Sequence, residues 1–139
     1  MVYYLTLISE KIVLNTSKAI ELINITSRIQ EIVEKSGVTN ALVNISTKHT
    51  TSAVVINEDE KGLKRDVVSL LDKFVPNDSY EHDLIDNNAR SHLMSLLLSS
   101  NQTLSVVGGR INLGTWQSIF FLELDGPRGN RIVDVSILY

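Results

Sequence analysis

Apolar and polar positions along this chain change their period several times, and each change predicts an element boundary. Residues 2–8 and 11–15 are rich in Tyr, Leu, Ile and Val around Ser9-Glu10, which predicts two strands joined tightly, with a third over 19–25. Beyond it Ile29, Ile32 and Val33 fall on one helical face. Thr26 or Ser27 suits its N-cap, Ser27 and Gln30 have capping-box spacing, and Gly37 suits its end. The runs "NALVNIST" and "TSAVVINE" then return to strand character.

A second helix is predicted between Asp59 and Phe74, where Leu63, Val67, Leu70 and Leu71 recur at helical spacing; Asp59 is its candidate cap and Pro76 lies just beyond. A polar loop over residues 77–86 leads to a third helix, striped by Ala89, Leu93, Leu96 and Leu97 and capped by Asp86 or Asn87. The runs "TLSVV", "SIFFLELD" and "RIVDVSILY" read as strands separated by glycine-containing turns, with Gly108-Gly109 suited to a hairpin. Three helices among about eight strands, not in strict alternation, predict one compact α+β domain over residues 1–139.

Composition narrows the chemistry. The chain has 13 Lys plus Arg against 16 Asp plus Glu, spread rather than blocked, and so lacks the basic stripe a nucleic-acid binder needs. There is no cysteine, which excludes disulfides, thiolate nucleophiles and Cys-based metal sites. No segment reads as a signal peptide or a membrane span, so the expectation is a cytoplasmic protein with no membrane partner.

Candidate chemistry gathers around three histidines. His49 opens "HTTSAVVINE", where an uninterrupted strand would alternate its side chains and become apolar on both faces beyond its polar start. His49 and Asn57 would then stand about 26 Å apart, too far to share one small pocket from the same strand. Taken by itself, His49 reads as a strand-end histidine bonded to nearby threonines; the other two histidines change that balance. His82 lies in "YEHD" and His92 near the start of the third helix, where the dipole favours the neutral imidazole that a metal requires. Asp83 and Asp86 are candidate acceptors or a carboxylate ligand. The separations of the three histidines match no standard zinc spacing. Gly114 suits a close backbone approach to a ligand, Trp116 a core or interface anchor, and Arg128 and Arg131 in "DGPRGNR" a bidentate contact to an anion.

Taken together, "HTTSAVVINE", "YEHD", "NNARSH", "GRINLGTWQSIFFLELDGPR" and the closing β-run resemble, in order and spacing, the YjbQ or UPF0047 family, also called the secondary thiamine-phosphate synthase family. The resemblance implies a homotrimer with clefts at subunit contacts and a divalent metal, best matched by zinc, on His49, His82 and His92. Many relatives carry a further histidine where this chain has Arg90, a charge that could meet a phosphate instead.

The implied reaction joins a pyrimidine pyrophosphate to a thiazole phosphate. His49, Glu58 and Arg128 are its catalytic candidates. Thr50, Thr51, Ser52, Asn57, Arg90, Gly114, Thr115, Trp116, Gln117 and Arg131 are candidates for binding a small phosphorylated molecule. Asn57 and Glu58 would join a site from a neighbouring subunit or cap the following helix. Two other readings are metal-dependent hydrolysis, with Glu58, Asp83 or Glu123 as general base, and a non-enzymatic trimer that binds a small anion or metabolite.

Overall fold

A computed structural model describes residues 1–139. The eight strands are β1 (Leu7–Leu14), β2 (Glu21–Asn24), β3 (Ala41–Thr47), β4 (Ser52–Asn57), β5 (Asn101–Val107), β6 (Arg110–Ile111), β7 (Ser118–Glu123) and β8 (Arg131–Leu138). The helices are α1 (Thr26–Ser36), α2 (Lys61–Phe74) and α3 (Ala89–Leu97), with a 3₁₀ turn at Glu81–Leu84 inside the polar loop. This is the expected α+β architecture.

Two antiparallel sheets form, one of five strands in the order β1-β8-β3-β5-β6 and one of three in the order β2-β7-β4. Between them lies the main core: Ile12, Val43, Ile45, Val133 and Val135 from the larger sheet, Val54, Ile119 and Phe121 from the smaller, and Ile29 and Val33 from α1. The opposite face of the small sheet is covered separately, with Ala53 and Leu122 packing on Leu71 of α2 and Met94 of α3. Ile119 to Glu123 of β7 are therefore buried on both faces. Each large apolar side chain buried this way contributes about 1.5–3 kcal/mol.

Several boundaries differ from those the sequence predicts, and each difference has a tertiary cause. Ser9 and Glu10 do not turn the chain: they pair with Ser136 and Val135, so one strand replaces the expected two. Polar residues are tolerated there because β1 is an edge strand with one solvated side. Neither Thr26 nor Ser27 caps α1. The Thr26 hydroxyl accepts the Ile119 N–H at 2.8 Å, and Gln30 clamps the β5–β6 hairpin by donating to the Gly109 carbonyl and accepting from the Ile111 N–H. The predicted stop holds: Gly37 is left-handed at φ 71°, where a side chain would be strained. Gly108 and Gly109 are likewise left-handed, as a two-residue hairpin requires.

Glu60, rather than Asp59, caps α2 by accepting the Gly62 and Leu63 N–H groups; Asp59 pairs with Lys64 at 2.5 Å and holds Asn24. For α3 the cap is Asp83, reaching across the loop to the Ala89 N–H at 2.9 Å, not Asp86 or Asn87. No helix is long and apolar enough to cross a membrane.

Candidate functional site

Strand β4 begins at Ser52, three residues after His49, so His49 lies in the turn that enters the sheet rather than on the strand. That turn is fastened from within. The Thr47 hydroxyl accepts the His49 N–H and bonds the Ser52 hydroxyl, while Ser95 of α3 donates to the Ser52 carbonyl at 2.8 Å. His49 Nε2 accepts the Ile132 N–H at 3.0 Å, which places the proton of the neutral ring on Nδ1. Burial, then the positive charge of Arg131, lowers its pKa from the ordinary histidine value and favours that neutral form.

Beneath the turn is a buried ion pair. Register places Ser52 of β4 opposite Glu123 of β7, and Arg131 at the start of β8 crosses between the sheets to meet Glu123 at 2.5 Å. The Arg131 guanidinium also donates to the Thr51 hydroxyl at 2.9 Å, and the Thr16 hydroxyl donates to Glu123 at 2.9 Å. Burial pushes the Glu123 carboxyl up, but Arg131, the Asp125 N–H and Thr16 more than offset it and hold the group below the usual carboxylate range. Arg131 and Thr51 are thus partners of one another, and Thr51, Ser52 and Arg131, all expected from the sequence to contact substrate, are buried within this chain. Of the hydroxyls following His49, only Thr50 is exposed.

His82 and His92 do meet. Their ring centroids are 4.7 Å apart, nearly edge-on. His82 Nε2 is 3.1 Å from Asn88 Oδ1, and the Asn88 amide donates to Asp125 at 3.0 Å, which fixes the amide's orientation and makes His82 the donor. Asp125 in turn holds Arg128 at 2.7 Å. Burial raises the Asp125 carboxyl, but Asn88 and Arg128 together take it below its ordinary value. Asn88 and Asp125 are not among the sequence candidates, since nothing local distinguishes them from turn residues. His92 also faces the other way, into a cleft of about 530 Å³ lined by His49, Thr50, Lys48, Ser95 and Ser100.

The three histidines therefore flank one helix start, with His92 in the middle. No group of three His, Asp or Glu side chains converges closely enough to hold a metal ion, and a ring nitrogen of both His49 and His82 is already engaged. One chain thus does not fit a closed three-histidine centre. The proposed general bases are also committed or distant. Glu123 is buried against Arg131, Asp83 caps α3, and Glu58 is exposed at the far end of β4.

That far end gathers the remaining candidates. Asn57 pairs with Ser118, beside the loop of Gly114, Thr115, Trp116 and Gln117. Within the loop, the Gln117 side chain accepts the Gly114 N–H at 2.8 Å, and Trp116 is exposed. Asn57 lies five residue steps beyond Ser52 on β4, about 17 Å along the strand. Arg90 faces neither end: it donates to the Val75 carbonyl and pairs with Asp72 at 3.0 Å.

Two packed antiparallel sheets with helices covering the smaller one, and a histidine cluster where α3 meets the β4 entry turn, define the class of this α+β protein. The chain belongs to the YjbQ family: the description UPF0047 protein YjbQ-like matches residues 10–139. It is 48% identical over 130 residues to a UPF0047 protein of Methanothermobacter thermautotrophicus, covering 93% of this chain and 91% of that one. It is 34% identical to UPF0047 protein YugU of Bacillus subtilis, covering 83% and 88%. A crystal structure of a YbjQ-like protein of unknown function from Sulfolobus solfataricus superposes with a TM-score of 0.94 at 40% identity, covering 97% of this chain and 99% of that one. A YjbQ/UPF0047 protein of Clostridium acetobutylicum gives 0.85 at 36%, covering 94% and 98%.

Proposed function

We propose that this protein is a cytoplasmic homotrimeric enzyme that binds a small phosphorylated molecule in the His49–His92 cleft, with thiamine-phosphate synthase-like transfer as the reaction. The observation that carries the proposal is the placing of two imidazoles on one cleft together with a lysine and exposed hydroxyls. Lys48 and Thr50 supply charge and hydrogen bonds to phosphate oxygens. His49, neutral with Nδ1 protonated, can donate to developing negative charge, and His92 can move a proton. The Glu123–Arg131 pair acts through His49 by fixing the turn that carries it.

The test is turnover of a pyrimidine pyrophosphate and a thiazole phosphate by the purified protein and by His92→Ala. Loss of about 10²–10⁴-fold in the variant, with unchanged folding, supports the proposal. Absence of turnover in the parent protein refutes the transferase reading.

A second reading, metal-assisted hydrolysis, is favoured by the His82–Asn88–Asp125 chain, since metal-bound histidines are commonly oriented this way by a second group. Stoichiometric zinc in elemental analysis, together with chelator-sensitive hydrolysis of a phosphorylated substrate, would select it. It requires a donor beyond those that one chain brings together.

A further inference from the structure

A second concave surface lies between the first turns of α2 and the segment leading into β2, away from the three histidines. Lys18, Lys61, Lys64 and Arg65 line a groove of about 530 Å³ whose floor is Ile20, Leu22 and Val68. Four of the chain's 13 cations thus surround one hollow in a protein of net charge −3. Only Lys64 has a carboxylate partner, Asp59. Lys18, Lys61 and Arg65 have none within ion-pair distance. The one acid in the groove, Glu21, is turned onto the Ser17 and Lys18 N–H groups at 2.7 and 3.2 Å. Unpaired like charges around a concave surface repel one another and concentrate anions there.

The groove continues into a neighbouring hollow of about 420 Å³, which shares Lys18, Ile20 and Val68 and ends at Arg90, Asp72 and Asp125, where Arg90 is paired with Asp72 and Asp125 with Arg128. Arg90, expected from the sequence to serve the histidine site, therefore belongs to this trough. Its volume accommodates more than an isolated phosphate, and its apolar floor suits an uncharged organic portion.

We propose that this trough is a second ligand site, which takes a small organic molecule carrying two or more phosphate groups. Lys61 and Arg65 hold the phosphates from α2, Lys18 closes the opposite wall, and Ile20, Leu22 and Val68 carry the organic part. Nucleic acid is disfavoured because the cations are confined to one hollow of an acidic protein rather than tracking a backbone.

The experiment is calorimetric titration of the full chain with inorganic pyrophosphate, compared with orthophosphate. Parent protein should bind pyrophosphate more tightly than orthophosphate. In a Lys48→Ala background, which removes the phosphate contact of the histidine cleft, Lys61→Ser/Arg65→Ser should weaken the remaining pyrophosphate binding by about tenfold or more, the loss expected for two charge-assisted contacts. Thermal melts without ligand verify that each variant folds, and Lys18→Ser, on the other wall, gives an independent second variant. The proposal is overturned if the parent does not bind, if the α2 variant in that background binds as Lys48→Ala does, or if Lys48→Ala alone abolishes binding, which would place pyrophosphate in the histidine cleft. Tighter binding of a duplex oligonucleotide, dependent on Lys61 and Arg65, would also overturn it.

Discussion

The two ends of the β4–β7 pair are built on opposite plans. At the end occupied by His49, polar groups from five separate segments converge: Thr16 after β1, Thr51 before β4, Ser95 on α3, Glu123 on β7 and Arg131 on β8. These groups are largely withdrawn from solvent, so each requires its partner. At the other end, the Gly114–Gln117 loop satisfies itself within four residues and leaves Trp116 exposed. A site assembled from distant segments is rigid and sensitive to substitution. A locally satisfied loop can change with little cost to the fold.

The largest test of this contrast is Glu123→Ala. It leaves the Arg131 guanidinium buried without its carboxylate and should destabilise the protein by about 3–5 kcal/mol in denaturant unfolding. Replacing both members with apolar residues should recover much of that loss, because the uncompensated charge, not the missing attraction, is the main penalty.

Next is Gly126→Ala, in the turn between β7 and β8. A Cβ there would overlap the Lys18 carbonyl oxygen and approach the Glu123 Cγ to 2.9 Å. Destabilisation of about 1–3 kcal/mol is expected. By contrast, Gly114→Ala at the other end meets only the flexible Gln117 side chain and should be milder.

A smaller effect concerns pH. His49 has a lowered pKa in the folded state, so below the ordinary histidine value of about 6.5 the unfolded chain takes up the proton first. Stability contributed by neutral His49 is therefore present above that value and declines as pH falls toward the folded-state pKa. Glu123 and Asp125, also lowered, contribute stability above about pH 4 that is lost in a separate, more acidic window. His49→Gln should abolish the upper decline and retain the lower one in unfolding measured across pH.

The smallest expected change in stability is Trp116→Ala, within about 0.5 kcal/mol, because the indole is 72% exposed. Its value is as a separation of roles. If turnover falls while stability does not, the Gly114–Gln117 loop serves the site from another subunit; if neither changes, the loop lies outside the function.

Much of this organisation is legible in the sequence, and unevenly so. The unbroken apolar run of β7 reflects its burial on both faces, and Gly37 and the Gly108-Gly109 pair mark the positive φ values they adopt. The histidines were identifiable as residue types, and the contact between His82 and His92 follows from a short loop and a helix start. Arg131 and Arg128 looked alike, two arginines in one turn. Yet one is buried across the sheets while the other pairs with Asp125 at the surface. The trough cations were invisible for the same reason: Lys18 and Arg65 are neighbours only because α2 packs beside the chain entering β2.

Sequence alone determined most of the strands and helices, the single β1 in place of two expected strands excepted, because hydrophobic period and backbone permissiveness are properties of neighbouring residues. Tertiary structure decided what each polar group bonds to. Thr26 suited a helix N-cap, Gln30 had capping-box spacing from Ser27, and Asp59 had the position of a cap. Strand register and helix packing brought the Ile119 N–H, the β5–β6 hairpin and the Asn24 amide within their reach instead. A hydrogen bond acts over about 3 Å, and only the folded chain determines which distant groups arrive at that distance.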